Sequence, residues 1–224
     1  MMRIGIDING VLRDTLLKFE QLYQKNLIDN QENKDKTYEL SFSGESNTLS
    51  GITENVNSQD FKYEIISDVN TDNLLNHFKF PNEEDLFSFM YEEYTMELFG
   101  HAPSTEMTTF NILNDLYYEL RNNYELLIIS EEIGKSKPAS LFFLAKFGCL
   151  IEKVVFYSEL TKNKLWEEVD VFITANPKII KTKPKDKIIV KYNTNYNNNI
   201  ISDFEISTLS DFSLLLKKID KDYV

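Results

Sequence analysis

Apolar residues recur along this chain in two spacings, one strand-like and one helical, and their alternation predicts the architecture. Ile4, Gly5 and Ile6 form a short apolar run that ends at Asp7, as in a strand buried on both faces. Leu12, Leu16, Phe19, Leu22 and Tyr23 then follow at the spacing of one helical face, which predicts an amphipathic helix over 13–25. Residues 29–60 lose this periodicity. They are rich in Asn, Ser, Asp and Glu, include Gly44 and Gly51, and read as loop or irregular insertion. Aromatic residues return in "NLLNHFKF" (73–80) and "EEDLFSFMYEEYTMELFG" (83–100). These predict two more helices, the second opened by Asn82 as N-cap and closed by Gly100.

From there the pattern becomes regular. Phe110, Leu113, Leu116, Tyr117 and Leu120 mark a helix within 107–122, and "YELLIIS" (124–130) is a continuous apolar strand. A helix at 138–147 ended by Gly148, strands at 153–157, 170–174 and 187–191, and a helix near 208–219 complete the chain. Apolar strands interleaved with helices predict an α/β fold whose parallel sheet is covered on both faces. The strand near residue 4 is expected at the centre, between those near 126 and 172. Ligands bind beyond the carboxyl ends of such strands, where Asp7, Ser130 and Thr174 fall. Residues 1–25 and 105–224 are expected to form the core domain, with 26–104 inserted as a mostly helical cap.

Composition narrows the functional classes. A length of 224 residues suits one core and one appendage. A net charge of -12 repels a nucleic acid backbone, so no nucleic acid partner is expected. Cys149 is the one cysteine, which excludes an intramolecular disulfide and fits a reducing compartment. With neither a signal-peptide pattern nor an apolar run near membrane-spanning length, a cytoplasmic protein without membrane contact is expected. Only Arg3, Arg13 and Arg121 are arginine and Asn is abundant, as in the AT-rich coding of many bacteria and phages. His77 and His101 read as packing or surface residues, and Cys149 as a small core residue.

Four short segments carry the candidate chemistry: "GIDINGVL" with Asp7, "LLIIS" ending at Ser130, "LTKNK" with Lys164, and "VFITANPKII" with Thr174 and Ala175. On these the sequence resembles the haloacid dehalogenase-like superfamily of phosphohydrolases, and within it the 5'(3')-deoxyribonucleotidase-like branch. The resemblance covers 2–25 and 105–218 and leaves the insertion where that branch places its cap. It implies a Rossmann-like core, Mg2+ and an aspartyl-phosphate intermediate. By the same resemblance Asp7 stands at the nucleophile position. Ser130 stands where a hydroxyl binds phosphoryl oxygens, Lys164 where a lysine neutralises charge, and Gly10 and Glu131 beside the substrate.

Two of the four motifs depart from the family pattern. Asn9 replaces the acid that protonates the leaving group, and an amide cannot shuttle that proton. Thr174 and Ala175 replace the paired acids that help to hold Mg2+, leaving Asp7 as a weak metal ligand. Glu131 and Glu132 are the acids nearest at hand to replace them, although they point toward a loop. In the alternative, purely structural reading, Asp7 pairs with Lys164 in a neutral pocket without metal. The leading expectation is a catalytically degenerate member of the superfamily, encoded by a phage or its host and kept as a binding or interaction module. No cofactor is then expected, and Mg2+ only if the chain is active. The alternatives are an active Mg2+-dependent phosphohydrolase of nucleotides or small phosphoesters, and a virion structural or assembly component. The aromatic insertion is the expected surface for a protein partner or a second copy.

Overall fold

The computed structural model describes residues 1–26 and 73–223. Six parallel strands form one sheet: β1 (Met2–Ile6), β2 (Tyr124–Glu131), β3 (Val154–Tyr157), β4 (Val171–Thr174), β5 (Ile188–Tyr192) and β6 (Phe204–Ile206), in the order β3-β2-β1-β4-β5-β6. As expected, β1 lies between β2 and β4, with Ile4 opposite both Leu126 and Val171. The strand order reverses between β1 and β4, and such a reversal opens a crevice at the carboxyl ends of the strands. Asp7 stands at that crevice, its N–H continuing the ladder to the Ile173 carbonyl at 2.9 Å.

Alternation along the strands divides the apolar residues between two faces. Ile4, Ile6, Leu126, Ile128, Val171 and Ile173 pack on one side with Phe110, Leu113 and Leu116 of α3 (Thr109–Leu120) and Phe212, Leu216 and Ile219 of the C-terminal helix (Phe212–Tyr223). Leu127, Ile129, Phe172 and Ile189 pack on the other with Leu165 and Ile179. These two come from the short helices α5 (Asn163–Glu168) and α6 (Pro177–Lys181). The helix after β1, here α1, is described over 15–26 and begins at residue 15 rather than 13, because Asp14 caps it by accepting from the Leu17 N–H at 3.1 Å.

The stretch 29–60, read as loop, lies outside the described residues. Beyond it, 83–100 is not one α-helix. A short α2 (Glu83–Ser88), capped by Asn82, continues into π-helical turns at Phe89–Glu93 and Met96–Gly100. The wider turns let the aromatic residues face one way. Phe78, Phe89, Leu98 and Phe99 close on Phe19 and Leu22 of α1 and on Ala139 of α4 (Ser136–Lys146).

Gly5 shows how tightly β1 is enclosed. A Cβ there would stand 2.5 Å from Val169 Cγ1 and 2.8 Å from Ile129 Cγ2, both in the buried core. Gly5→Ala is therefore expected to destabilise the fold by about 1–3 kcal/mol, as overpacked cores do. Urea unfolding at neutral pH measures it.

Candidate functional site

The carboxyl ends of β1, β2 and β4 bring three side chains together. Asp7, only 2% exposed, accepts from the Ser130 hydroxyl at 2.8 Å on Oδ1 and from the Thr174 hydroxyl at 2.7 Å on Oδ2. The Asn9 N–H adds a longer bond to Oδ1 at 3.3 Å. Three of about four acceptor positions on the carboxylate are thus filled by the chain itself. Burial nevertheless dominates, pushing the Asp7 carboxyl up to about 7 against these hydrogen bonds, with the charge of Glu132 adding to the rise.

Asn9 has one orientation that satisfies its neighbours. Its Oδ1 accepts from Arg13 Nη2 at 2.6 Å and from the Thr15 hydroxyl at 2.8 Å, both of which are donors. The amide nitrogen therefore faces the site and donates to Ser130 Oγ at 3.2 Å. Arg13 is itself fully buried. It reaches Glu132 Oε1 at 2.6 Å, the Ser140 hydroxyl at 2.7 Å and the Phe99 carbonyl at 2.6 Å, with its guanidinium over the Phe99 and Phe143 rings. Glu132 Oε2 is buried with no hydrogen-bond partner among the described residues. Desolvation pushes the Arg13 guanidinium down, while Glu132 and then Asp7 pull it up.

The remaining expected residues are placed around this cradle. Gly10 adopts φ +77, and a side chain there would meet the Tyr196 hydroxyl and Ala175 Cβ, so the turn requires glycine. Tyr196 is set over Gly10 by its neighbour Asn197, which donates to the Ala175 and Tyr192 carbonyls at 3.0 and 2.9 Å. Glu131 is half-buried, its carboxyl pushed up by burial and by Glu159 and drawn down by Lys178 and Lys162. Lys164 does not reach the cradle. On α5 the neighbouring Leu165 takes the buried position, which turns Lys164 outward, and among the described residues no ion pair joins it to Asp7. Two cavities, of about 530 and 350 Å3, lie along α2 and between the π-helical turns and α4, and no residue of the cradle lines either.

Neither family models nor curated proteins match this sequence. Solved structures do match. A haloacid dehalogenase-like hydrolase from Burkholderia xenovorans LB400 is 12% identical with a TM-score of 0.53 over 97% of each chain. The HAD-hydrolase YfnB from Bacillus subtilis, solved bound to magnesium, is 17% identical with a TM-score of 0.52, covering 96% of this chain and 98% of its own. A dehalogenase with an intermediate complex is 11% identical with a TM-score of 0.50 over 96% of each chain. The fold is therefore that of the haloacid dehalogenase-like hydrolases.

The residues here do not fit the magnesium that this fold holds in the Bacillus subtilis structure. Mg2+ requires near-octahedral oxygen ligands with anionic charge. The cradle offers a single carboxylate, already bonded by two hydroxyls and an N–H. The Thr174 hydroxyl donates to Asp7 and accepts from the Asn176 N–H at 3.0 Å, and the Ala175 carbonyl is taken by Asn197. Glu132, the other buried acid, is committed to Arg13. Among the described residues no three His, Cys, Asp or Glu side chains are grouped to hold a metal.

Sequence reasoning missed Arg13, Thr15 and Ser140. The signal for Arg13 was present: a rare arginine within the turn "NGVLRDT", immediately after the apolar pair Val11 and Leu12 that enters the core.

The raised Asp7 carboxyl gives a pH dependence with a definite sign. Its folded value of about 7 lies above the ordinary 3.8, so the stabilisation is complete below pH 4 and is lost as pH rises toward 7. Asp7→Asn should remove that loss. Urea unfolding is expected to show the variant more stable than the parent at pH 8, by an amount of order 3 kcal/mol, with the difference shrinking as pH falls toward 5.

Proposed function

We propose that this chain is a catalytically degenerate haloacid dehalogenase-like protein that acts as a binding or interaction module. The observation that carries this reading is the Asp7 carboxylate bonded by the Ser130 and Thr174 hydroxyls, with the Asn9 amide held by Arg13 and Thr15. Phosphoryl transfer depends on charge neutralisation at the phosphoryl group and on positioning. Here Thr174 and Ala175 stand in place of the paired metal acids, and the leaving-group acid is replaced by an amide that cannot shuttle its proton. The order of motifs and the place of the insertion support a deoxyribonucleotidase-like ancestry, and the Asn-rich, arginine-poor composition accords with a phage or bacterial source. Residues 26–104 are proposed as the cap. A partner would meet this module around Phe87 and Met96, which are 46% and 39% exposed.

A second reading is favoured by the likeness to a dehalogenase with an intermediate complex. Attack of a carboxylate oxygen on a saturated carbon expels halide as a weak base and leaves an ester, which water then hydrolyses. Neither a divalent metal nor an acid at position 9 is needed. This reading ranks second because Asp7 is closed off and loses much of its nucleophilic form near pH 7.

With Mg2+ present, hydrolysis of deoxynucleoside monophosphates and of an aryl phosphate should fall at least about two orders of magnitude below ordinary enzymatic rates, because each missing device contributes that much. Phosphate release measures it. Ordinary turnover abolished by Asp7→Asn would overturn the degenerate reading. Halide release from a 2-haloacid, with an ester mass added on Asp7, would establish the second reading instead.

A further inference from the structure

The misfit between this cradle and a divalent metal has a cause beyond the missing acids. Arg13 is a permanent cation, fully buried, within 2.6 Å of Asn9 Oδ1 and of Glu132 Oε1. Its other nitrogens are bound to Ser140, Thr15 and the Phe99 carbonyl, so the guanidinium has no solvent-facing alternative position. The rings of Phe99 and Phe143 lie 5.0 and 5.4 Å from its central carbon and hold it in that plane. Asp7 acts on it electrostatically as well as Glu132 does.

We infer that Arg13 is the resident cation of this site: held by Glu132, it fixes the Asn9 amide toward Ser130 and sets a buried positive charge against any divalent ion beside Asp7. This role of Arg13 rests on the degenerate reading and goes past it, because it has a consequence for any acid placed at position 9. Asn9 already receives the Arg13 Nη2 proton at 2.6 Å. A carboxylate introduced there would pair with the guanidinium instead of turning to a metal. A divalent ion beside Asp7 would in addition stand close to a like charge that cannot be deprotonated or moved. Arg13 is thus a positioning residue for Asn9 and, through Asn9, for the Ser130 hydroxyl on Asp7. Its bond to the Phe99 carbonyl makes the same side chain the strut between the cradle and the aromatic π-helical turns.

Magnesium titration by calorimetry, on three proteins, tests this. The unmodified chain should bind no Mg2+. Asn9→Asp with Thr174→Asp restores two acids and should bind Mg2+ weakly or not at all. Adding Arg13→Met and Glu132→Gln, which remove the buried pair together, should tighten Mg2+ binding at least about tenfold. Equal binding with and without the buried pair would overturn the inference about Arg13, as would no binding by either restored chain. Mg2+ binding by the unmodified chain would overturn the degenerate reading itself. Should the four-substitution chain not fold, thermal unfolding of Asn9→Asp alone decides. It should be far less destabilising with Arg13 present than in the Arg13→Met, Glu132→Gln background, and equal effects would overturn the inference.

Discussion

Everything around the carboxyl end of this sheet answers one constraint, a carboxylate removed from water. Asp7 ends the central strand at the point where the strand order reverses, and flanking β2 and β4 leave it 2% exposed. An isolated charge there would be prohibitive. The chain meets the cost with two hydroxyls and a backbone N–H, and even so the carboxyl remains pushed up to about 7. A bound divalent ion would do the opposite, holding the carboxylate ionised. The hydroxyl cradle and the raised carboxyl are consequently two aspects of one arrangement.

The second buried charge system, Arg13 with Glu132, is attached to the first through Asn9. Burying an ion pair rarely adds net stability, since desolvation of both groups offsets their attraction, whereas removing one partner is costly. Its value here is directional. Arg13 and Thr15 claim the Asn9 oxygen, which leaves the amide nitrogen for Ser130, whose hydroxyl then has its proton free for Asp7. One chain of donors runs from the guanidinium to the carboxylate. The same guanidinium bonds the Phe99 carbonyl, so the packing of the aromatic turns and the order of the site are linked.

Much of the fold was legible because parallel strands buried on both faces are written as unbroken apolar runs. That holds for residues 4–6, 126–129, 171–173 and 188–190, while the apolar but half-buried β3 lies at the sheet edge. The edge strand β6 was not legible, being three residues long with Ile206 alone buried. Helical periodicity likewise suggested one helix over 83–100, because the shift to a five-residue turn changes which side chains align without changing composition. Within the site, the strand ends gave Asp7, Ser130 and Thr174, whose placement follows from the strand register. Lys164 could not be placed in the same way. A one-residue choice of which α5 side chain enters the core put Leu165 inside and Lys164 outside. Arg13 was missed because an arginine reads as solvent-facing unless its partners, here 86 to 127 residues away at Phe99, Glu132 and Ser140, are known.

The central claim is that hydroxyls of the chain close around Asp7 and a buried arginine fixes its neighbour Asn9, so that no metal is held there. Crystals of the unmodified chain soaked in Mn2+, with diffraction collected for anomalous scattering, test it most directly. The account predicts no anomalous peak within coordination distance of the Asp7 oxygens, with the Ser130 and Thr174 hydroxyls still bonded to them. A peak there, with either hydroxyl displaced from the carboxylate, would contradict it.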